Sequence, residues 1–194
     1  MLPRPGTWCC IAVLFARVAW CQGATPLKHA HLSADLYAGY TRVAPDFGDY
    51  NSSPAENGFG GGADLHLSRL FAVADEAHWM HVTYNPEEKS NSVTAFGGPR
   101  FFFPAGLNGA IIPFADILGG AATFNFQGNP SPFTSTISPA FAADAGVDVH
   151  ISGPLAVRVQ GGYVHSNFTE VSSILQTFVH DQHGRLMIEG VWHF

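Results

Sequence analysis

The chain has 194 residues, 46% of them apolar and 12% charged, and a formal net charge of −6. A soluble domain carries about 25% charged residues, so roughly half the usual charge is missing, and the acidic balance excludes the basic patch that nucleic acid requires. Beyond the N-terminus no stretch of about 18 consecutive apolar residues occurs, so no transmembrane helix is available and the hydrophobicity must be dispersed, as period-two alternation does.

Residues 1–24 read as a secretory leader, with the folded domain expected over 25–194. Arg4 supplies a weak positive n-region, Trp8 to Ala16 a short apolar h-region, and Gly23 and Ala24 the small residues for cleavage between Cys21 and Thr25. Cys9, Cys10 and Cys21 all lie there, so the exported chain carries neither a disulfide framework nor thiolate chemistry. Cys21 also invites lipidation, although Trp20 is bulky where that processing wants a small residue.

Eight strand-like segments follow in order. From His31 to Val43, Leu32, Ala34, Leu36, Ala38 and Tyr40 alternate with Ser33, Asp35, Tyr37, Gly39 and Thr41. Around Gly58 to Leu67, Ala63, Leu65 and Leu67 oppose Gly62, Asp64 and His66. In Phe71 to Tyr84 the alternation breaks near Asp75–Glu76, where a bulge or an ambiguous register is expected. Ser92 to Phe103 contains Arg100, and Ala110 to Asn125 contains Asp116 among apolar neighbours. The sixth segment is the cleanest: Phe141, Ala143, Ala145, Val147, Val149 and Ile151 against Ala142, Asp144, Gly146, Asp148 and His150. The seventh sets Leu155, Val157, Val159, Gly161 and Tyr163 against Ala156, Arg158, Gln160 and Gly162. The eighth sets Leu186, Ile188, Gly190, Trp192 and Phe194 against Met187, Glu189, Val191 and His193.

The second face is sparse in charge and rich in Gly and Ala. That suits a narrow lumen filled by side chains, with lipid outside. Segments of about 10–14 residues are long enough to cross a bilayer when tilted. Short connections at Ser68–Arg69, Pro104–Asn108 and Ser152–Pro154 alternate with mostly longer polar ones at Ala44–Asn57, Asn85–Asn91, Phe126–Thr136 and Asn167–Gly184. The expected fold is an all-β, eight-stranded antiparallel up-and-down transmembrane β-barrel with tight inner turns and longer outer loops.

The leader and five further features then resemble the OmpA/OmpX-like small outer-membrane barrel family: Gly97-Gly98-Pro99-Arg100, Pro113-Phe114-Ala115, Ala145-Gly146-Val147-Asp148-Val149, Leu155-Ala156-Val157-Arg158 and the terminal aromatic. The resemblance implies an outer-membrane monomer in contact with lipid and lipopolysaccharide, without a cofactor. It also implies that Trp192 and Phe194, with Ile188 and Leu186 on their face, form the signal read by the barrel-assembly machinery. Gly190 departs from the bulkier residue usual there.

Arg100, Arg158, Asp116, Asp144, Asp148 and Glu189, with Asp35 and Asp64, fall on the lumen face. There they form either a salt-bridged plug or the wall of a narrow, porin-like channel. No histidine group has metal-ligand spacing: His78 and His81 point to opposite faces, His29 and His31 lie at the exposed start, and His180 and His183 fall in a loop. His165-Ser166-Asn167 approximates the His-x-Ser-Asn element of outer-membrane lipid A deacylases. Adjacent strand residues face opposite sides, so His165 reaches Ser166 only across a bulge. No catalytic residue is therefore assigned. The aromatics Tyr40, Trp79, Tyr84, Phe101, Phe103, Phe124, Tyr163, Trp192 and Phe194 are expected as interfacial girdles. A soluble exported barrel binding a small apolar ligand is the remaining class.

Overall fold

The computed structural model describes residues 32–44, 56–85, 88–103, 110–127, 133–134, 137–171 and 176–194. The expected leader, His29 and His31 lie outside the described residues. Eight long strands account for nearly all of the rest: β1 (Ser33–Val43), β2 (Glu56–Ser68), β3 (Phe71–Asn85), β4 (Glu88–Phe102), β5 (Ile111–Gln127), β6 (Ser138–Ser152), β7 (Leu155–Val171) and β8 (Gln176–His193). Each pairs antiparallel with its neighbour in sequence, and β1 pairs with β8 from Asp35↔His193 to Val43↔Arg185. The sheet therefore closes on itself as the alternation predicts. A two-residue segment, Phe133–Thr134, adds to the end of β5.

Closure is staggered. A ladder row leaving β1 at Leu36 passes Ala63, Asp75, Gly97, Gly119, Phe141 and His165 and reaches β8 at Gln182, whereas Leu36 itself pairs with Trp192. That offset tilts the strands, by about 35–45° in barrels of this kind. Strands of 15 to 18 residues, such as β3, β7 and β8, then overreach the roughly 9–11 residues needed to span a bilayer.

At one end the hairpins are tight. Arg69–Leu70 joins β2 to β3, with the Leu70 amide donating to Ser68 Oγ at 3.2 Å. Gly153–Pro154 joins β6 to β7, with Gly153 at φ 51°, the left-handed geometry a two-residue hairpin needs at its first position.

Period-two alternation separates two environments. Outward-facing Leu36, Phe59, Val73, Ile117, Phe141, Val159 and Ile188 are exposed, while inward-facing positions are closed. Among the described residues, twenty-three large apolar side chains are exposed. At about 1.5–3 kcal/mol lost for each one left in water, such a surface is untenable in aqueous solution and fits lipid. Tyr40, Trp79 and Tyr163 ring this surface toward the loop end, and Phe101, Phe103, Trp192 and Phe194 toward the turn end.

Four expectations need correction. No bulge occurs at Asp75–Glu76. The register is continuous there, with Glu76 buried and Asp75 outward, and the irregularities fall at His66/Ser68, Thr83/Asn85 and His150/Ser152. Most of Asn167–Gly184 is strand, because β7 and β8 stay paired to Val171↔Gln176. The connection Asn85–Asn91 is short, since β4 begins at Glu88. Phe124 faces inward, against the cluster of Phe96, Leu118 and Ala122. The Tyr84 side chain lies outside the description.

Replacing Ile117 with Arg should lower unfolding stability in lipid vesicles by about 2–4 kcal/mol, because a charge near mid-bilayer must be desolvated. Urea titration of the folded, heat-modifiable band measures it, and an unchanged midpoint would contradict lipid contact at this face.

Candidate functional site

The barrel interior concentrates charge. Among the described residues, Arg100, Arg158 and Arg185 and seven carboxylates (Asp35, Asp64, Glu76, Asp116, Asp144, Asp148 and Glu189) are all buried inside the barrel. Each is inward because strand parity puts it there, and antiparallel register then juxtaposes them. Arg100 on β4 stands opposite Asp116 on β5, and Asp148 on β6 opposite Arg158 on β7.

The central knot is built on Asp64 of β2. Arg100 donates through Nη1 to both Asp64 oxygens, at 2.9 and 3.0 Å, and through Nε to Asp116 at 2.7 Å. Arg158 donates through Nη2 to Asp64 at 2.9 Å and clasps Asp148 through Nε and Nη2 at 2.7 and 2.9 Å. The two guanidiniums share a pair of aromatic walls. Arg100 lies 5.4 Å from the Tyr37 ring centre and 4.7 Å from that of Phe114; Arg158 lies 4.5 and 4.7 Å away. Their mutual repulsion is offset by the carboxylate between them and by the ring faces.

A second knot lies nearer the loop end. Arg185 of β8 donates to Asp144 and to Glu76, the latter at 2.5 Å, and packs over Phe96. Glu76 Oε2 lies 3.6 Å from Arg100, which joins the two knots, and His78 Nε2 lies 3.2 Å from Glu76 Oε1. Space for Asp144 comes from Gly162, where a Cβ would stand 2.0 Å from the carboxylate oxygen. Toward the turn end, Asp35 bridges His66 at 2.7 Å and His193 at 2.6 Å, and His193 stacks on His150.

The packing leaves little room. A cavity of about 10 Å³ lies beside Thr41, His78, Thr94 and His183, near the size of one water. Glu189 stands apart from the other carboxylates. It is 2% exposed, faces Arg158 across the β7–β8 ladder, and neither of its oxygens has a hydrogen-bond partner.

All six lumen charges expected from the sequence (Arg100, Arg158, Asp116, Asp144, Asp148 and Glu189) thus point inward, and the first five join the ion-paired network, as Asp64 does. Arg185 and Glu76 were missed. Arg185 shares the parity of Met187 and Glu189 but precedes the visible alternation, and Glu76 lies where both faces of β3 are apolar. Trp192 and Phe194 face outward with Leu186 and Ile188, and a Cβ at Gly190 would meet nothing within 4 Å. His165 and Ser166 lie on opposite faces of an unbroken ladder, Ser166 buried inward and paired with Ala140, His165 paired with Phe141. Among the described residues no group of three or more His, Cys, Asp or Glu is arranged to hold a metal ion.

No family model and no curated protein matches the chain. Solved structures do. Neisserial surface protein A superposes with a TM-score of 0.61 at 12% identity, covering 84% of this chain and 97% of that one. OprG, an outer membrane protein of Pseudomonas aeruginosa, gives 0.59 at 13%, covering 86% and 97%. Ail, the attachment invasion locus protein of Yersinia pestis, gives 0.56 at 13%, covering 84% and 99%. At such identities the likeness concerns the fold, which is that of the small eight-stranded outer-membrane barrels.

Two substitutions separate the paired interior from the unpaired acid. Arg100→Met strands Asp116 and weakens Asp64, and should cost about 3–5 kcal/mol. Glu189→Gln removes a carboxylate that has no partner and should change stability by less than about 1 kcal/mol. Equal losses in urea unfolding would contradict the pairing described.

Proposed function

Because the fold is that of the small outer-membrane barrels, we propose that the chain is a non-enzymatic protein of the bacterial outer membrane. It is exported by residues 1–24, recognised by the barrel-assembly machinery through Trp192 and Phe194, and surrounded by lipid and lipopolysaccharide. Its interior is a plug, and its specific contacts are made by the external connections between strands.

One observation carries the plug: Asp64 ties Arg100 to Arg158, and Glu76 ties Arg100 to Arg185, so ion pairs link β2, β3, β4, β5, β6, β7 and β8 across the bore. A solute would have to break several buried pairs to pass. Eight-stranded barrels are in any case barely wider than their side chains. The opposite facing of His165 and Ser166 favours the non-enzymatic reading over the lipid hydrolase, since a base on the outer face has no path to a hydroxyl in the lumen.

Vesicles bearing the full chain should swell in isosmotic sugar no faster than empty ones, and planar bilayers should show no steady unitary current. A resolved conductance that Arg158→Ala alters would replace the plug with a channel. Ser166→Ala should leave lipid A acylation unchanged in cells; altered acylation would restore the hydrolase.

A further inference from the structure

The lipid-facing surface carries one anomaly. Asp75 points outward from β3, midway between the outward residues Phe71 and Trp79. Four ladder steps in one direction lead from it to Leu155 beside the Gly153–Pro154 turn, and four in the other lead to His165. It therefore stands at mid-height. Among the described residues, the other outward acids and bases in strands, Arg42, Lys89, His81 and His165, stand toward the loop end. Among the described residues no hydrogen bond reaches the Asp75 carboxylate; Tyr37 donates to the Asp75 backbone carbonyl, at 3.3 Å. An ionisable group in this position is expensive and calls for a partner.

Its surroundings are unusually low. Ala63 and Gly97 flank it across the ladders, Ala77 follows it on β3, and Gly119 lies one strand further. These glycines are not required by the barrel's own packing. A Cβ on Gly119 would meet nothing within 4 Å, and one on Gly97 only a carbonyl oxygen at 3.6 Å. Small residues around one polar group are what allow two membrane surfaces to approach closely and hydrogen-bond.

We propose that this face, centred on Asp75 and formed by β2 to β5, is where two copies of the chain meet. A twofold axis along the membrane normal brings each residue to the depth of its counterpart. Two Asp75 carboxyls then meet at mid-bilayer, where a proton held by either is donated to the other. Among the described residues no outward cation stands at that depth, so the equal-depth pair is the self-complementary solution. A foreign partner answering Asp75 with Lys or Arg would have to bury that charge at about 2–4 kcal/mol in its own membrane segment. The pairing replaces the monomer that the resemblance implies.

The proposal rests on the membrane reading, and its test separates the two. The full chain is extracted from outer membranes, its heat-modifiable mobility is verified, and it is reconstituted with one fluorophore per chain for counting of bleaching steps at low protein-to-lipid ratio. Two-step spots are expected for the wild type. Asp75→Leu, which relieves a lipid-facing charge and so leaves folding intact, should reduce them at least tenfold, as should Gly119→Leu. Asp75→Asn, whose amide pairs with itself, should retain them. Single-step spots from a folded, inserted wild type would overturn the pairing alone, as would undiminished two-step spots from Asp75→Leu. Recovery of the chain in the soluble periplasm would defeat the membrane reading itself.

Discussion

Everything inside this barrel depends on one carboxylate holding two guanidiniums side by side. Without Asp64, Arg100 and Arg158 would face each other across a space that excludes water, between the same two aromatic rings. A buried ion pair gives little net stability over an apolar core, yet losing one partner is severe. The network's larger contribution is to registration. Asp64 and the two guanidiniums meet only if β2, β4 and β7 hold their stagger, so a slipped strand would bury unpaired charge.

The exterior obeys the complementary rule. Hydrophobic side chains outside make no packed core; their stabilisation comes from lipid, so the face needs apolarity and little shape. The interior needs shape, and Gly162 yielding its side-chain volume to Asp144 is one instance. Asp75 violates the outer rule, which is why it points to a function beyond holding the barrel in place.

How far this was legible in the sequence follows from the same two rules. Parity is visible where one face is apolar and the other polar. Thus β6 and β7 disclosed Asp144, Asp148 and Arg158, and the strand count and closure followed. In β3 the inner face carries Ala72, Ala74 and Met80 and the outer face Val73, Ala77 and Trp79, so Asp75 next to Glu76 looked like a fault in the strand. Residues 167–171 and 176–184 lack apolar alternation because the strands there rise past the lipid-facing band, and a strand without that contrast resembles a loop. Pairing partners were beyond reach for a different reason. Arg185 and Glu76 are 109 positions apart and meet only through the closed stagger.

The linkage of strands through these ion pairs also bears on how the chain can insert. Arg158 of β7 finds Asp148, and Arg100 of β4 finds Asp116, each within its own hairpin, but Glu76 waits for Arg185 on the last strand. The β4–β5 hairpin thus pairs its own inner charges, whereas Glu76 of β3 and Asp144 of β6 meet Arg185 only when the last strand is in place. A half-formed sheet would present bare charge to the bilayer, so the energetic route favours holding the hairpins at the wet surface until the β1–β8 seam can shut. The last strand, by supplying Arg185, completes the ion-paired interior.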